Sequence, residues 1–248
     1  PRKHNLVVDP LVSGSNTLAQ ALITGSRYNA SCLFTLSCNY NVTVAAPANA
    51  TFTDVLWSFN YIAAGLCYLQ DGACRFTTGA CISPSAAGFY WYCNLIGGGT
   101  CTGTNVSIFT DVSACLPPPA CTTQNVTFTM QFFRDCWGPA GCDNTCIGAG
   151  SPWTMTIQGH TVEFSTPATP ITPTSATVCA GQSATFNTLG IYGVPPYTYN
   201  WSLSNTGVPS VGAASSATIN FPTPGVYTVY AFIRDNCNNV ISASVPVT

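Results

Sequence analysis

Apolar residues alternate with threonine in many short segments of this 248-residue chain. Asn125–Met130 and Trp153–Ile157 follow this two-residue period. Successive side chains of a strand point to opposite faces, so the period predicts half-buried antiparallel strands with threonine on the outer face. Gly, Pro, Asn and Ser separate the segments. Asn16–Thr24 could form two helical turns and Thr53–Ala64 is ambiguous, but we expect an all-β chain overall.

The composition changes at residues 166–174, where three of nine residues are proline. Such a segment is typical of a stiff, extended connector. Twelve cysteines precede it and two follow it. We therefore expect two tandem β-sandwich domains. The predicted organisation is an extended segment at 1–16, a Cys-rich sandwich at 17–165, a linker at 166–174 and a second sandwich at 175–248.

The second region contains the segments VCAGQSATF at 178–186, PPYTYNW at 195–201, PGVYTV at 224–229 and RDNCNN at 234–239. In these segments it resembles the polycystic-kidney-disease (PKD) type of immunoglobulin-like domain. The form is the one common on secreted and surface proteins of Bacteroidota. The resemblance implies an immunoglobulin-like sandwich with Trp201 in its core, a fold used mostly for spacers and adhesive modules. Many members carry an acidic, Gly-rich turn where this chain has SLSNTG.

Fourteen cysteines without a C-x-x-C pair, alongside only two histidines, argue against zinc clusters. They indicate structural disulfides formed in an oxidising compartment, so we expect a secreted, extracellular or cell-surface protein. Cys179 and Cys237 are the only cysteines of the second region, and we expect them to bond to each other. The pairing of the other twelve stays open: Cys32, Cys38, Cys67, Cys74, Cys81, Cys93, Cys101, Cys115, Cys121, Cys136, Cys142 and Cys146.

Charged residues make up only 6% of the chain, with six basic and eight acidic side chains. Six basic residues cannot line a phosphate backbone, so nucleic-acid binding is excluded. The apolar runs are too short to span a bilayer, and Pro1 at the start predicts a processed chain. His160, in a Gln-Gly-His segment interpreted as a hairpin turn, is a weak general-base candidate. Catalytic motifs are lacking and the acids are scattered, so we expect no enzyme, cofactor or metal.

Two features concern the surface. Glycans on Asn-x-Ser/Thr sequons would hydrate a chain this poor in charge. The dense aromatic segments Phe89–Tyr92 and Phe132–Phe133 are interpreted as core or interface, with a carbohydrate-binding face that includes Trp91 as the alternative. The six candidate glycosylation sites are Asn29, Asn41, Asn49, Asn105, Asn125 and Asn200.

Lys3 is the only lysine, although lysine is the residue that natural sheets use to protect their edges. We therefore expect the edges to be occupied by neighbouring copies. The apolar segment Leu6–Val12 is either a strand donated to another subunit or the first strand of its own sandwich. The sequence predicts a homopolymeric subunit of an extracellular filament or pilus-like fibre; the alternative is an adhesin or carbohydrate-binding module. The candidate interface residues are Leu6, Val7, Val8, Leu11 and Val12.

Overall fold

A computed structural model of the chain describes residues 11–19, 24–27, 38–63, 68–69, 72–84, 97–134 and 143–248. Strands dominate, and the described residues hold a single α-helix, α1 at Phe109–Val112, which continues into a 3₁₀ turn at Ser113–Cys115. The strands are β1 Leu11–Leu18, β2 Thr24–Arg27, β3 Cys38–Ala46, β4 Thr51–Ala63, β5 Gly72–Thr78, β6 Cys81–Ser83, β7 Gly99–Ser107, β8 Gln124–Arg134, β9 Asp143–Ala149, β10 Trp153–His160, β11 Glu163–Phe164, β12 Gln182–Asn187, β13 Gly190–Ile191, β14 Thr198–Ser202, β15 Ser210–Gly212, β16 Ser216–Phe221, β17 Tyr227–Arg234 and β18 Val240–Val247.

The first sandwich packs two sets of antiparallel strands face to face. In one set β8 lies between β3 and β5, and β6 follows β5. In the other, β10 lies between β1 and β4, and β7 pairs with the far side of β4. The short strands β9 and β2 connect the two sets, and β2 runs parallel to β8. The strand periods predicted from the sequence therefore give an all-β protein, as expected.

The core of this sandwich follows the two-residue period most clearly in β4. Its buried positions carry large side chains, among them Trp57, Phe59 and Tyr61. Trp57 stacks on Phe59 with ring centroids 4.1 Å apart and meets Trp153 of β10 at 5.6 Å. Aromatic pairs of this kind stabilise by about 0.5–1.5 kcal/mol beyond their burial.

The described ends of the segment Asn16–Thr24, where two helical turns were predicted, lie in strands, and residues 20–23 lie outside the described residues. β1 extends through Leu18, and β2 begins at Thr24. The apolar spacing of this segment fits either a short helix or a strand. Pairing of Leu11–Leu18 with β10 decides in favour of the strand, because tertiary pairing outweighs weak local propensity.

The second sandwich has the immunoglobulin-like arrangement of two facing sheets, β12–β16 and β15–β14–β17–β18. Trp201 is fully buried between them, with its ring 6.3 Å from that of Phe186. Ile171 lies in the segment expected to be a linker, yet it is buried in this core. The next residue, Thr172, exchanges backbone hydrogen bonds with Asn187 of β12. Part of residues 166–174 therefore belongs to the second sandwich.

Within the described ranges, no helix has both the length and the apolar character needed to cross a lipid bilayer.

Candidate functional site at the junction and strand edges

The two sandwiches meet in a hydrogen-bonded junction. β10 of the first sandwich ends at His160, and β11 then pairs with β13 of the second sandwich. The backbone N–H of Gly193 donates to the carbonyl of His160 (3.1 Å). The hydroxyl of Thr51 in β4 donates to the carbonyl of Gly193 (2.7 Å). Both backbone groups of Gly193 therefore bond to the first sandwich.

Only glycine fits at position 193. Its φ of +60° lies in the left-handed region, where a Cβ atom is unfavourable. A Cβ would also lie 2.8 Å from the backbone nitrogen of Val162 and 2.9 Å from Oδ2 of Asp235. The junction thus depends on a close approach of backbone to backbone.

The side chain of Asp235 organises the turn between β17 and β18 at this junction. It is 3% exposed, and its carboxylate accepts hydrogen bonds from the N–H groups of Cys237 and Asn239 (2.9 Å each). The side-chain amide of Asn239 donates as well (2.9 Å), and the N–H of Val194 donates at 3.3 Å. A buried carboxylate with this many donors is a structural anchor.

His160 lies at the end of a strand and not in the predicted hairpin turn. Its Nδ1 is 2.7 Å from a carboxylate oxygen of Glu163, and its ring packs 4.9 Å from that of Tyr192. The Tyr192 carbonyl in turn accepts a hydrogen bond from the hydroxyl of Tyr197. Burial raises the pKa of Tyr197, and the neighbouring Tyr199 and Asp235 raise it further. Within this cluster, the ring contact between His160 and Tyr192 joins the two sandwiches.

A disulfide between Cys121 and Cys237 joins the first sandwich to the second across the junction. The expected bond between Cys179 and Cys237 is therefore wrong. Cys179 is exposed and unpaired, and it follows Val178, whose N–H bonds to Thr248 at the opposite end of β18. Strands rise about 3.3 Å per residue, so the eight residues of β17 keep the two ends of the sandwich about 23 Å apart. A disulfide needs Cα atoms within about 7 Å.

The first sandwich holds further cysteine cross-links. Cys81 bonds to Cys115, and Cys38 and Cys101 are also in disulfides. Cys74 is a buried free thiol, and burial raises its pKa well above the ordinary range. Cys146 lies in β9. The other cysteines expected to pair lie outside the described residues: Cys32, Cys67, Cys93, Cys136 and Cys142.

The structure places part of the candidate interface segment within its own sandwich. Leu11 is opposite His160 and Val12 is opposite Gly159 in the β1–β10 pair. The side-chain amide of Asn16 further along β1 donates to the carbonyl of Thr43 in β3 (2.7 Å). Leu11 and Val12 thus form part of the first strand of their own sandwich, which was one of the two interpretations of this segment. The other candidates, Leu6, Val7 and Val8, lie outside the described residues.

The sequons differ in their access to solvent. The side chain of Asn200 is half-buried, and its Nδ2 atom, to which an N-glycan would be attached, donates to the carbonyl of Gly207 (2.9 Å). Its sequon partner Ser202 is fully buried and bonds to the carbonyl of Pro209. Asn49 is also half-buried, and Asn29 lies outside the described residues. The aromatic segment Phe89–Tyr92, the alternative carbohydrate-binding face, lies outside them as well. The exposed sequons are Asn41, Asn105 and Asn125.

The sheet borders carry almost no charge. Apart from the two-residue strand β11, every described strand that pairs with a single neighbour lacks Lys, Arg, Asp and Glu. Natural sheets usually protect such strands with charged side chains. The sequence shows that lysine is scarce, but only the topology shows which strands lie at the sheet borders. Among the described strands, the borders are β11 and the uncharged strands β1, β3, β6, β7, β12, β13, β15, β16 and β18.

Among the described residues, no three His, Cys, Asp or Glu side chains lie close enough together to hold a metal ion.

Comparisons with known proteins identify no family. No protein-family model matches the chain, and no curated protein matches it. Solved structures give weak likenesses. The four N-terminal Ig domains of Dscam1 isoform 1.9 align at 12% identity and a TM-score of 0.28, over 91% of this chain and 46% of that one. Three N-terminal domains of the outer capsid protein Hoc of bacteriophage RB49 align at 12% and 0.26, over 96% and 59%. Latent PorU from Porphyromonas gingivalis aligns at 11% and 0.29, over 98% and 21%.

The chain spans about half the length of the Dscam1 chain. Likenesses at these TM-scores carry no conclusion about function. The PKD resemblance stays an expectation from the sequence.

Proposed function

We propose that this protein is a non-catalytic structural subunit of an extracellular filament or pilus-like surface fibre, built from copies of itself. The observation that carries the proposal is the absence of charged residues from the described border strands other than β11. Unprotected edges bind other strands, and a net charge of −2 offers little repulsion between copies. Exposed apolar side chains, such as Val208 (70%) and Val226 (79%), add contact surface.

The junction supports a load-bearing role. Its backbone hydrogen bonds and the Cys121–Cys237 disulfide fix the two sandwiches to each other, so that the pair would act as one stiff unit. Disulfides of this kind form and persist in oxidising compartments, which supports secretion to the cell surface. Glycans on the exposed sequons Asn41, Asn105 and Asn125 would hydrate the faces that subunit contacts leave uncovered.

A head-to-tail contact through the N-terminal segment would extend such a filament. Because Leu11 and Val12 are paired within their own sandwich, the donated part of the segment is restricted to the residues before them, Leu6–Val8. These residues would add a strand to a sheet edge of a neighbouring copy.

Electron microscopy of the purified native protein tests this proposal. We expect filaments or linear oligomers, and dispersed single particles at micromolar concentration would refute it. A variant lacking residues 1–10 tests the N-terminal contact separately. Shortened or absent polymers are expected, and undiminished polymer would exclude that segment as the link.

An adhesin or carbohydrate-binding role is the second candidate, and one observation favours it. Tyr230 and Phe232 alternate with the buried residues of β17 and therefore lie on the solvent side of the sheet, with ring centroids 6.5 Å apart and planes 24° apart. Parallel rings of this kind suit the apolar face of a sugar. A glycan array would test it, and binding that is lost in Tyr230→Ala but retained in Tyr68→Ala, another tyrosine that reaches the surface, would support it.

A further inference from the structure

The edge strand β18 presents a free row of backbone groups. Residues along an antiparallel strand direct their N–H and C=O groups alternately to the two sides. The carbonyl of Pro246 accepts a hydrogen bond from the N–H of Ala176, on the side away from β17. The residues in phase with Pro246, which are Ser244, Ser242 and Val240, therefore direct their groups to this outer side as well.

The outer side of β18 is closed at one end. Proline lacks an N–H donor, so Pro246 presents only the carbonyl that Ala176 occupies. Thr248 donates to Ala176 (2.9 Å) and accepts from Val178 (2.8 Å). The outward groups of Val240, Ser242 and Ser244 bond to no other described residue. The stretch of β18 with unoccupied outward backbone groups is therefore Val240–Ser244, and Ser242 is its centre.

The other border strands of the second sandwich are less open. β15 has only three residues. β16 is closely approached by β15, since a Cβ placed on Gly212 would lie 2.8 Å from the Cβ of Ala217. In β12, Asn187 already exchanges both backbone hydrogen bonds with Thr172. β18 is thus the border strand of this sandwich with the longest open edge.

We propose that Val240–Ser244 pairs with the same stretch of a second copy in an antiparallel, two-fold arrangement. Ser242 then lies opposite Ser242 of the second copy, and Val240 lies opposite its Ser244. In each of these opposed pairs, the two residues would exchange two backbone hydrogen bonds. The two four-stranded sheets become one continuous sheet.

A second copy fits this edge because the hydrogen-bonding pattern is symmetric about Ser242 and therefore matches itself. β18 carries no charge that would repel a second copy, and the solvent-facing side chains at its centre are small serines. This inference rests on the proposed self-assembly and names one surface for it. A two-fold contact closes on itself, so filament growth requires a second contact elsewhere on the chain.

A pair of charge variants tests the register. Val240→Glu/Ser244→Glu would place two Glu–Glu pairs directly opposite each other, whereas Val240→Glu/Ser244→Lys would place two Glu–Lys pairs there. Arg234 lies opposite Val240 in β17, so a glutamate at 240 meets no like charge within its own sheet. We expect the first variant to raise the dissociation constant by about tenfold or more and the second to restore it. Sedimentation equilibrium measures the constant, and near-ultraviolet circular dichroism checks folding.

The outcomes separate this inference from the proposed function. If the Glu/Glu and Glu/Lys variants associate equally strongly, whether as strongly as the wild type or more weakly, the two-fold register is wrong. Self-assembly of the wild type would be unaffected by that result. A wild-type protein that stays monomeric would refute the proposed function itself.

A covalent trap gives a second readout. Ser242→Cys in a Cys179→Ser background is expected to form a symmetric disulfide-linked dimer under mild oxidation, because paired Cα atoms about 5.5 Å apart suit a disulfide. Thr218→Cys, on the border strand β16, is the matched control. Equal cross-linking at both positions would contradict the proposal.

Discussion

Removing the Cys121–Cys237 disulfide should strongly destabilise the second sandwich. The bond closes a loop with a sequence separation of 116 residues. In the chain-entropy model, a closed loop of that length stabilises the folded state by about 5 kcal/mol. Gly193 keeps its junction hydrogen bonds when the disulfide is absent, so the folded state should change little. The measured loss in the free energy of unfolding should therefore be close to this value or slightly smaller.

The double variant Cys121→Ser/Cys237→Ser avoids leaving an odd thiol. Urea unfolding under non-reducing conditions, followed by circular dichroism and by tryptophan fluorescence, reports the free energy of unfolding. Trp201 is fully buried in the second sandwich and should contribute to the fluorescence change. We expect the variant to lose about 3–5 kcal/mol. The control is Cys179→Ser, which removes an exposed, unpaired thiol and should change the free energy of unfolding by less than about 0.5 kcal/mol.

Two results would refute this reasoning. A double variant as stable as the wild type would mean that the bond does not constrain the unfolded chain. A large loss in Cys179→Ser would mean that Cys179 is bonded after all. Peptide mapping without reduction gives an independent check, since it should recover a cross-linked peptide that contains Cys121 and Cys237.

Three further predictions follow from local geometry. In thermal unfolding, Gly193→Ala should lower the free energy of unfolding by more than about 2 kcal/mol, because backbone strain and a steric clash add. Gly181 is also at positive φ but has open space around it, so Gly181→Ala should lower it by about 1 kcal/mol. Equal losses in the two variants would contradict the clash at position 193. Iodoacetamide at pH 8 should label Cys179 in the native protein and label Cys74 only after unfolding. Mass spectrometry measures the labelling, and labelling of Cys74 in the native protein would contradict its burial. Glycopeptide analysis should find Asn200 unmodified, and a glycan there would show that the loop that packs on it opens.

The architecture of the second sandwich could be predicted from sequence because its signals are local. The alternation along β16 and β17 and the tryptophan of β14 define the buried face without reference to any other segment. Trp201 is buried as the immunoglobulin-like resemblance implied. The Cys-rich sandwich was predicted in class for the same reason, since the runs in β8 and β10 alternate clearly.

The junction could not be predicted, because its parts come from distant positions. Cys121 and Cys237 meet only after β8 and the β17–β18 turn have been placed, and cysteine counting within each domain pointed to the wrong partner. Ile171 follows a proline-rich run that favours a linker, although its side chain completes the second core. The exposed state of Cys179 and the open edge of β18 likewise depend on which strands lie side by side.

Sedimentation velocity of the purified, deglycosylated protein tests the central claim most directly, namely that a nearly uncharged β surface with unprotected strand edges binds its own copies. The account predicts association that increases with concentration across the micromolar range and that persists in high salt, because few charges contribute to it. A single species with the mass of one chain at every concentration would contradict it.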